Sequence, residues 1–262
     1  MVDILSDFDI RAMLSDPDPV KRAQKQMKTP MVKRFYKEVT VGEQGGEFVI
    51  LLDGRPLKTP AKKLFAFPTH AAAMLVAAEY DAQLVEINPA KMQMTRLANT
   101  AVDGVATELE AVIADMQKFA GSDLLCYRSE GPERLVERQA AGWDRYLNWT
   151  KSTLGAEFKT TAGVMPVAQE GHAVDAIGAA LRKFTRPLAI ASLHQMTSLT
   201  GSVILALAVG MREVTATQAW NAAHIDEDWG LEMWGADDDA AARKAYRWLD
   251  MEAADKMLKA VQ

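Results

Sequence analysis

The chain has 262 residues, 49% of them hydrophobic and 25% charged, with a formal net charge of -5. That length can bury a sizeable core, and the acidic balance argues against a general nucleic-acid binder, which needs a basic footprint. A single cysteine, Cys126, excludes an internal disulfide and any thiolate metal cluster.

Residues 1–30 are polar and broken by Asp16-Pro17-Asp18-Pro19. Five acids between Asp3 and Asp18 precede the basic run from Lys21 to Lys28, so a charge-segregated arm is expected there. Its acidic start is not that of a secretory signal. Strand period follows over 35–41 and 47–52, flanking the glycine-bearing loop Gly42-Glu43-Gln44-Gly45-Gly46. Asp53-Gly54-Arg55-Pro56 supplies a second turn, leading to short extended pieces at 57–59 and 64–67. Three or four strands of this kind form a small antiparallel sheet, which needs an apolar cover. Pro68-Thr69-His70 opens the helix that provides it, with Thr69 as cap. Met74, Leu75, Ala78 and Leu84 are expected toward the sheet, and Glu79 and Asp81 toward water or a partner.

From about Asn99 onward nearly everything has helical period. Val105, Leu109, Val112, Ile113, Met116 and Phe119 form one apolar stripe. A helix starting at Pro132 carries Leu135, Val136, Trp143, Leu147 and Trp149, and Trp143 with Tyr146 is expected in the core. Further helices are predicted over 174–184, 187–211, 217–233 and 240–260, with a start signal across Thr215 to Gln218. The apolar run from Gly201 to Gly210 is half the length a bilayer requires, and reads as a buried helix. The fold class is therefore α+β: an arm over 1–30, a β-rich domain with one helix over 31–94, and a larger all-helical domain over 95–262.

Catalytic signatures are missing from the sequence. It has no Gly-x-x-x-x-Gly-Lys-Ser/Thr run, and no Gly-x-Gly-x-x-Gly after a strand. His70, His172, His194 and His224 are far apart, so no metal site and no cofactor are expected. His194 interrupts an apolar helix, where a buried, hydrogen-bonded histidine outweighs a catalytic one. Cys126 reads as a small buried apolar residue. Arg96, Asn99 and Asp103 stand where sheet gives way to helix, and read as an interdomain clasp with Arg96 paired to an acid and Asn99 capping.

The most informative tract runs from His224 to Asp239. It holds seven acids and two tryptophans with no lysine or arginine. Acids beside indoles suit a docking surface for a partner, the bland alternative being a helix with indoles inward and acids outward. Asp237-Asp238-Asp239 favours the N-terminus of the last helix, where carboxylates meet unpaired amides.

Several runs carry a family likeness: Arg34-Phe35-Tyr36-Lys37, Leu52-Asp53-Gly54-Arg55-Pro56-Leu57-Lys58-Thr59-Pro60, Thr95-Arg96-Leu97-Ala98-Asn99-Thr100-Ala101, Asp123-Leu124-Leu125-Cys126-Tyr127-Arg128, Gly201-Ser202 and Trp234-Gly235. In this order and spacing, from about residue 31 to the C-terminus, they resemble the assembly chaperones of the F-type ATP synthase catalytic head that attend its alpha subunit in mitochondria and alphaproteobacteria. The resemblance implies a non-enzymatic holdase that binds unassembled alpha subunit, a β-rich domain followed by a helical one, and no cofactor. It places a functionally important acid at Asp226, beside Glu227, with Trp229 and Trp234 in the same partner-binding helix. Tyr80 is expected to keep a structural packing role, alongside the interdomain clasp read above from Arg96, Asn99 and Asp103. The chain departs from the family pattern at Gly230, where glutamine is usual and a looser or kinked helix is implied, and at Tyr80, where tryptophan is common. Asp226 also shortens the usual glutamate by one methylene. A monomeric, cytoplasmic bacterial protein is expected, with no nucleic-acid partner and no stable membrane insertion. From another class, the residues leave open a hydrolase using carboxylates or His194 in an interdomain cleft, or an unrelated interaction module.

Overall fold

The computed structural model describes residues 31–163, 165–235 and 237–262; the expected arm over 1–30 lies outside them. Two compact units are present, one ending at Thr107 and one beginning at Glu108.

In the first unit, β1 (Val39–Gln44) and β2 (Glu47–Leu52) form an antiparallel hairpin with Val41 opposite Ile50 and Gln44 opposite Glu47. Gly45 and Gly46 turn it at φ of 64° and 82°, a region open to glycine without Cβ strain. The other edge of β2 is shared by two short strands. β3 (Arg55–Pro56) pairs with Leu51 and Leu52, and β4 (Ala66–Phe67) pairs with Phe48 and Val49. The Asp53 carboxylate accepts from the backbone N–H of Lys37 (3.0 Å) and Glu38 (2.9 Å), tying the turn to the segment that enters β1. Those bonds hold its carboxyl below the usual carboxylate range.

Helix α1 (His70–Asp81) covers the sheet, and Thr69 caps it by accepting from Ala72 N–H. Its inward face is Ala72, Ala73, Val76, Ala77 and Tyr80. Met74 and Leu84, expected inward, are 46% and 83% exposed, and Ala78 is exposed too. Almost every position of this alanine-rich helix is apolar, so the sequence carries no phase. Packing chose the small residues, which let the helix lie close on the sheet.

Glu79 also departs from expectation. It is turned inward and caps α2 (Gln93–Thr100), accepting from Met94 N–H (2.8 Å), Thr95 N–H (2.8 Å) and Thr95 Oγ1 (2.7 Å). Burial raises its carboxyl above the ordinary value, against those donors and the nearby Arg96 charge. Arg34 clamps the chain by donating to Tyr36 O, Asp81 O, Gln83 O and Lys37 O. Tyr80 is buried and accepts from Tyr36 Oη at its carbonyl (2.7 Å). After α2 a π turn over Ala101–Val105 brings Asp103 to Thr59 Oγ1 (2.6 Å) and Ala61 N–H (3.1 Å). These bonds hold α2 within the first unit, past the division expected at residue 94.

The second unit contains α3 (Leu109–Phe119), α4 (Glu133–Trp149), α5 (Gly171–Leu181), α6 (Pro187–Thr200), α7 (Val203–Gly210), α8 (Ala216–Ala223), α9 (Ile225–Trp234) and α10 (Asp238–Val261). A short parallel pair joins β5 (Tyr127–Arg128) to β6 (Thr161–Ala162). Every residue of α7 is buried, because α3, α4, α5, α6 and α8 all pack on it. Trp143 is buried in α4 and donates from Nε1 to Ala222 O (2.7 Å).

The helix expected over 187–211 is two helices. Gly201 ends α6 in the left-handed region (φ 68°), and Ser202 caps α7 by accepting from Leu205 N–H. Asp123 completes the joint. Its buried carboxylate accepts from Leu125 N–H (3.1 Å) and Ile204 N–H (3.2 Å), while Leu124 N–H donates to Gly201 O. The separate runs containing Asp123 and Gly201-Ser202 are thus one lock in space. The helix expected over 217–233 likewise breaks at His224. Thr215 and Gln218 form a full capping box for α8, and Asp237 caps α10. Cys126 is buried, in line with its apolar reading. Among the described residues no helix is long and apolar enough to cross a membrane.

Candidate functional site

Among the described residues no three His, Cys, Asp or Glu side chains gather as a metal site would require. The His194 side chain is 39% exposed, not buried as expected, with Nε2 3.6 Å from Asp115 Oδ2. It sits at the border of the α6 inner face formed by Ile190, Leu193 and Met196. Two of the hydroxyls near it in sequence are committed elsewhere: Ser192 donates to Leu188 O, and Ser202 caps α7. Arg96 is exposed on α2 of the first unit, and Asn99 lies inside that helix instead of capping it. Asp103 bonds Thr59 and Ala61, so the expected clasp is a set of bonds within one unit.

The greater part of the acidic tract forms α9, which lies against α4, while Asp237 to Asp239 start α10. His224 precedes it, buried, with its ring 4.0 Å from that of Trp220 and Nδ1 2.7 Å from Trp220 O. Burial holds the imidazole below its usual pKa, against the Trp220 carbonyl and Glu227. Close approach of the helices depends on Gly142 of α4, where an added Cβ would stand 2.3 Å from Ile225 Cδ1.

The tract has no cation of its own, but the fold supplies them from neighbouring helices. Asp228 pairs with Lys244 and Glu232 with Arg138 (2.7 Å). Glu227 lies 3.8 Å from Arg247 Nη1 and 3.7 Å from His224 Nε2. Asp226 is exposed, and its Oδ1 accepts from Gln139 Nε2 at 2.7 Å. Trp229 is only 8% exposed, with the Arg134 guanidinium 5.8 Å from its ring centre. It supports the helix from beneath and does not present an indole at the surface. Met233 and Trp234 do the opposite, at 50% and 84% exposure.

At 100° per residue, Asp226, Gly230, Met233 and Trp234 fall on one side of α9. The helix runs unbroken through Gly230, so the implied kink is not seen. A Cβ at Gly230 would meet the Trp234 ring at 3.5 Å, ordinary contact distance. The result is an exposed carboxylate at one end of a helix face and two exposed apolar side chains at the other. Such a face suits a protein partner carrying a cation beside an apolar recess.

Gln139 is the residue that sequence reasoning missed. It is buried, and it occupies a place in the apolar stripe Leu135, Gln139, Trp143, Tyr146 of α4. A polar residue at such a position is itself the signal, because burial obliges it to find partners.

Residues 33–151 match the family described as the ATP12 chaperone protein. The whole chain is similar to the crystal structure of a putative chaperone from Agrobacterium tumefaciens, with 49% identity and a TM-score of 0.88, covering 99% of this chain and 97% of that one. It is also similar to the crystal structure of Atp12 from Paracoccus denitrificans, with 36% identity and a TM-score of 0.83, over 88% of this chain and 99% of that one. The mitochondrial protein atp12 of Schizosaccharomyces pombe is 26% identical over 151 residues, 54% of this chain; the match spans 52% of the length of that relative.

Proposed function

This chain belongs to the ATP12 chaperone family, and from that premise we propose that it is an assembly chaperone of the F-type ATP synthase that binds the unassembled alpha subunit. Alone, an alpha subunit exposes apolar surface meant for its neighbours and is prone to aggregate. A holdase covers that surface and yields it when the tighter subunit contact forms. In this reading the protein acts as a cytoplasmic bacterial monomer without catalysis of its own.

The observation that carries the reading is the exposed face of α9. An indole 84% exposed beside the half-exposed Met233, on the same face as Asp226 about two turns away, supports it, and apolar anchors flanked by charge are what a client interface uses. The contact set is Asp226, Met233 and Trp234, with Glu227 at its border and Trp229 as support.

Light scattering of aggregating alpha subunit, with and without stoichiometric protein, tests the function. Suppression and a complex on size exclusion are expected; neither appearing at any ratio removes the reading. Asp226→Lys tests the site. Gln139 Nε2 keeps Ser129 Oγ as acceptor after the exchange, so melting should fall only by about 1 kcal/mol, from the lost hydrogen bond and the reversed charge in the first turn of α9. Client binding should weaken by roughly 2–5 kcal/mol. A large melting loss with unchanged binding would make Asp226 a purely internal residue.

A further inference from the structure

Of the four acids on α9, three face a cation among the described residues and one does not. Glu227, Asp228 and Glu232 face Arg247, Lys244 and Arg138. Asp226 is bonded by the neutral amide of Gln139. Arg138 stands next to Gln139 on α4, yet its charge goes to Glu232. A neutral donor orients a carboxylate without cancelling its charge.

The Gln139 side chain is itself locked. It is 1% exposed, its Oε1 accepts from Ser129 N–H at 2.8 Å, and its Nε2 donates to Ser129 Oγ at 3.1 Å as well as to Asp226. Flipping the amide would set Oε1 against the Asp226 carboxylate and leave Ser129 N–H facing a donor, so one orientation alone satisfies the group.

Building on the functional reading above, we propose that Gln139 is a positioning residue that presents Asp226 as an oriented, uncancelled anion to a lysine or arginine of the client. The partner chemistry follows from the same arrangement. An exposed carboxylate whose orientation is fixed and whose charge is kept complements a cationic side chain, and Met233 and Trp234, about two turns along the same face, complement an apolar part of the client surface near that cation.

A double-mutant cycle on binding of the alpha subunit tests this, with the full-length protein and titration in low and high salt. Gln139→Met removes the donor at similar volume, and should weaken binding roughly tenfold and reduce its salt dependence. In an Asp226→Asn background the same change should do almost nothing further, because the oriented charge is already gone. Ser129→Ala removes a hydroxyl partner of Gln139 but leaves the Asp226 bond, and should bind as the unaltered chain does. A merely structural Gln139 would lower melting and binding by the same factor in both backgrounds, which overturns the proposal. If Gln139→Met folds poorly, equal binding losses for Ser129→Ala and Asp226→Asn overturn it as well. Client binding by the unaltered protein that neither Gln139→Met nor Asp226→Asn weakens removes this inference alone. Unaltered protein that binds no alpha subunit removes the functional reading and this inference with it.

Discussion

Two carboxylates of the second unit, Asp123 under α7 and Asp226 on α9, have opposite surroundings. Asp123 is buried, and the backbone N–H groups of Leu125 and Ile204 and the Ser202 hydroxyl take up its oxygens. Asp226 is exposed and held by one neutral side chain. Burial makes the first a structural lock, since its donors would otherwise be orphaned at a helix start. Exposure leaves the second able to meet something outside the chain. The residue type is the same in both places; the supply of donors and water decides the role. The first unit repeats the lesson, for the charged side chains of Arg34, Asp53, Glu79 and Asp103 all bond the chain's own backbone.

The largest expected effect breaks the lock. Asp123→Ala should cost about 3 kcal/mol or more, because it strands two buried N–H groups and a hydroxyl. Urea denaturation measures this against the smaller loss of about 1 kcal/mol expected for Asp226→Lys. A loss below about 1 kcal/mol for Asp123→Ala would erase the distinction between the two carboxylates.

A smaller effect of opposite sign sharpens the picture of α9. Gly230 is half-buried within a continuous helix, and a Cβ there meets only ordinary contact. Gly230→Ala should therefore stabilise the protein by up to about 1 kcal/mol through helix propensity, seen as a higher Tm. A lower Tm would mean that α9 needs its glycine.

The smallest effect is in pH dependence. His224 is held below its usual pKa by burial, so as pH falls below about 6.5 the unfolded chain takes up a proton first and stability is lost. Asp123 runs the other way. Desolvation pushes its carboxyl up to about 6, so its stabilising contribution is full below the ordinary value of 3.8 and disappears as pH rises through about 6. The wild-type curve mixes both slopes. His224→Gln should remove the first, leaving a protein that loses less stability on acidification from about pH 7 to about pH 5. Parallel curves for the two proteins would show that His224 keeps an ordinary pKa.

Much of the architecture was legible because local chemistry dictates it. The hairpin followed from alternation around Gly45-Gly46, the α8 start from Thr215 and Gln218, and the α10 cap from Asp237. Trp143 and Tyr146 were expected in the core, and both are buried. Where local signals are symmetric or silent, the reading failed. In α1 nearly every side chain is apolar, so the phase that hides Val76 and exposes Met74 could not be read. The split of α6 from α7 was marked by Gly201-Ser202, but the length of the apolar run outweighed that mark. At the candidate site the tract was visible as composition and Asp226 was expected from the family resemblance, whereas the burial of Trp229 and the cations of α4 and α10 were not legible.

By itself the sequence determined the first hairpin, the helix that covers it and the starts of several of the longer helices, because backbone caps, turns and hydrophobic period act over a few residues. Only the tertiary structure decided which charges are spent. Gln139 reaches Asp226 across 87 positions and Asp123 reaches Ile204 across 81. Hydrogen bonds and desolvation depend on distance in space, which the spacing along the chain does not record.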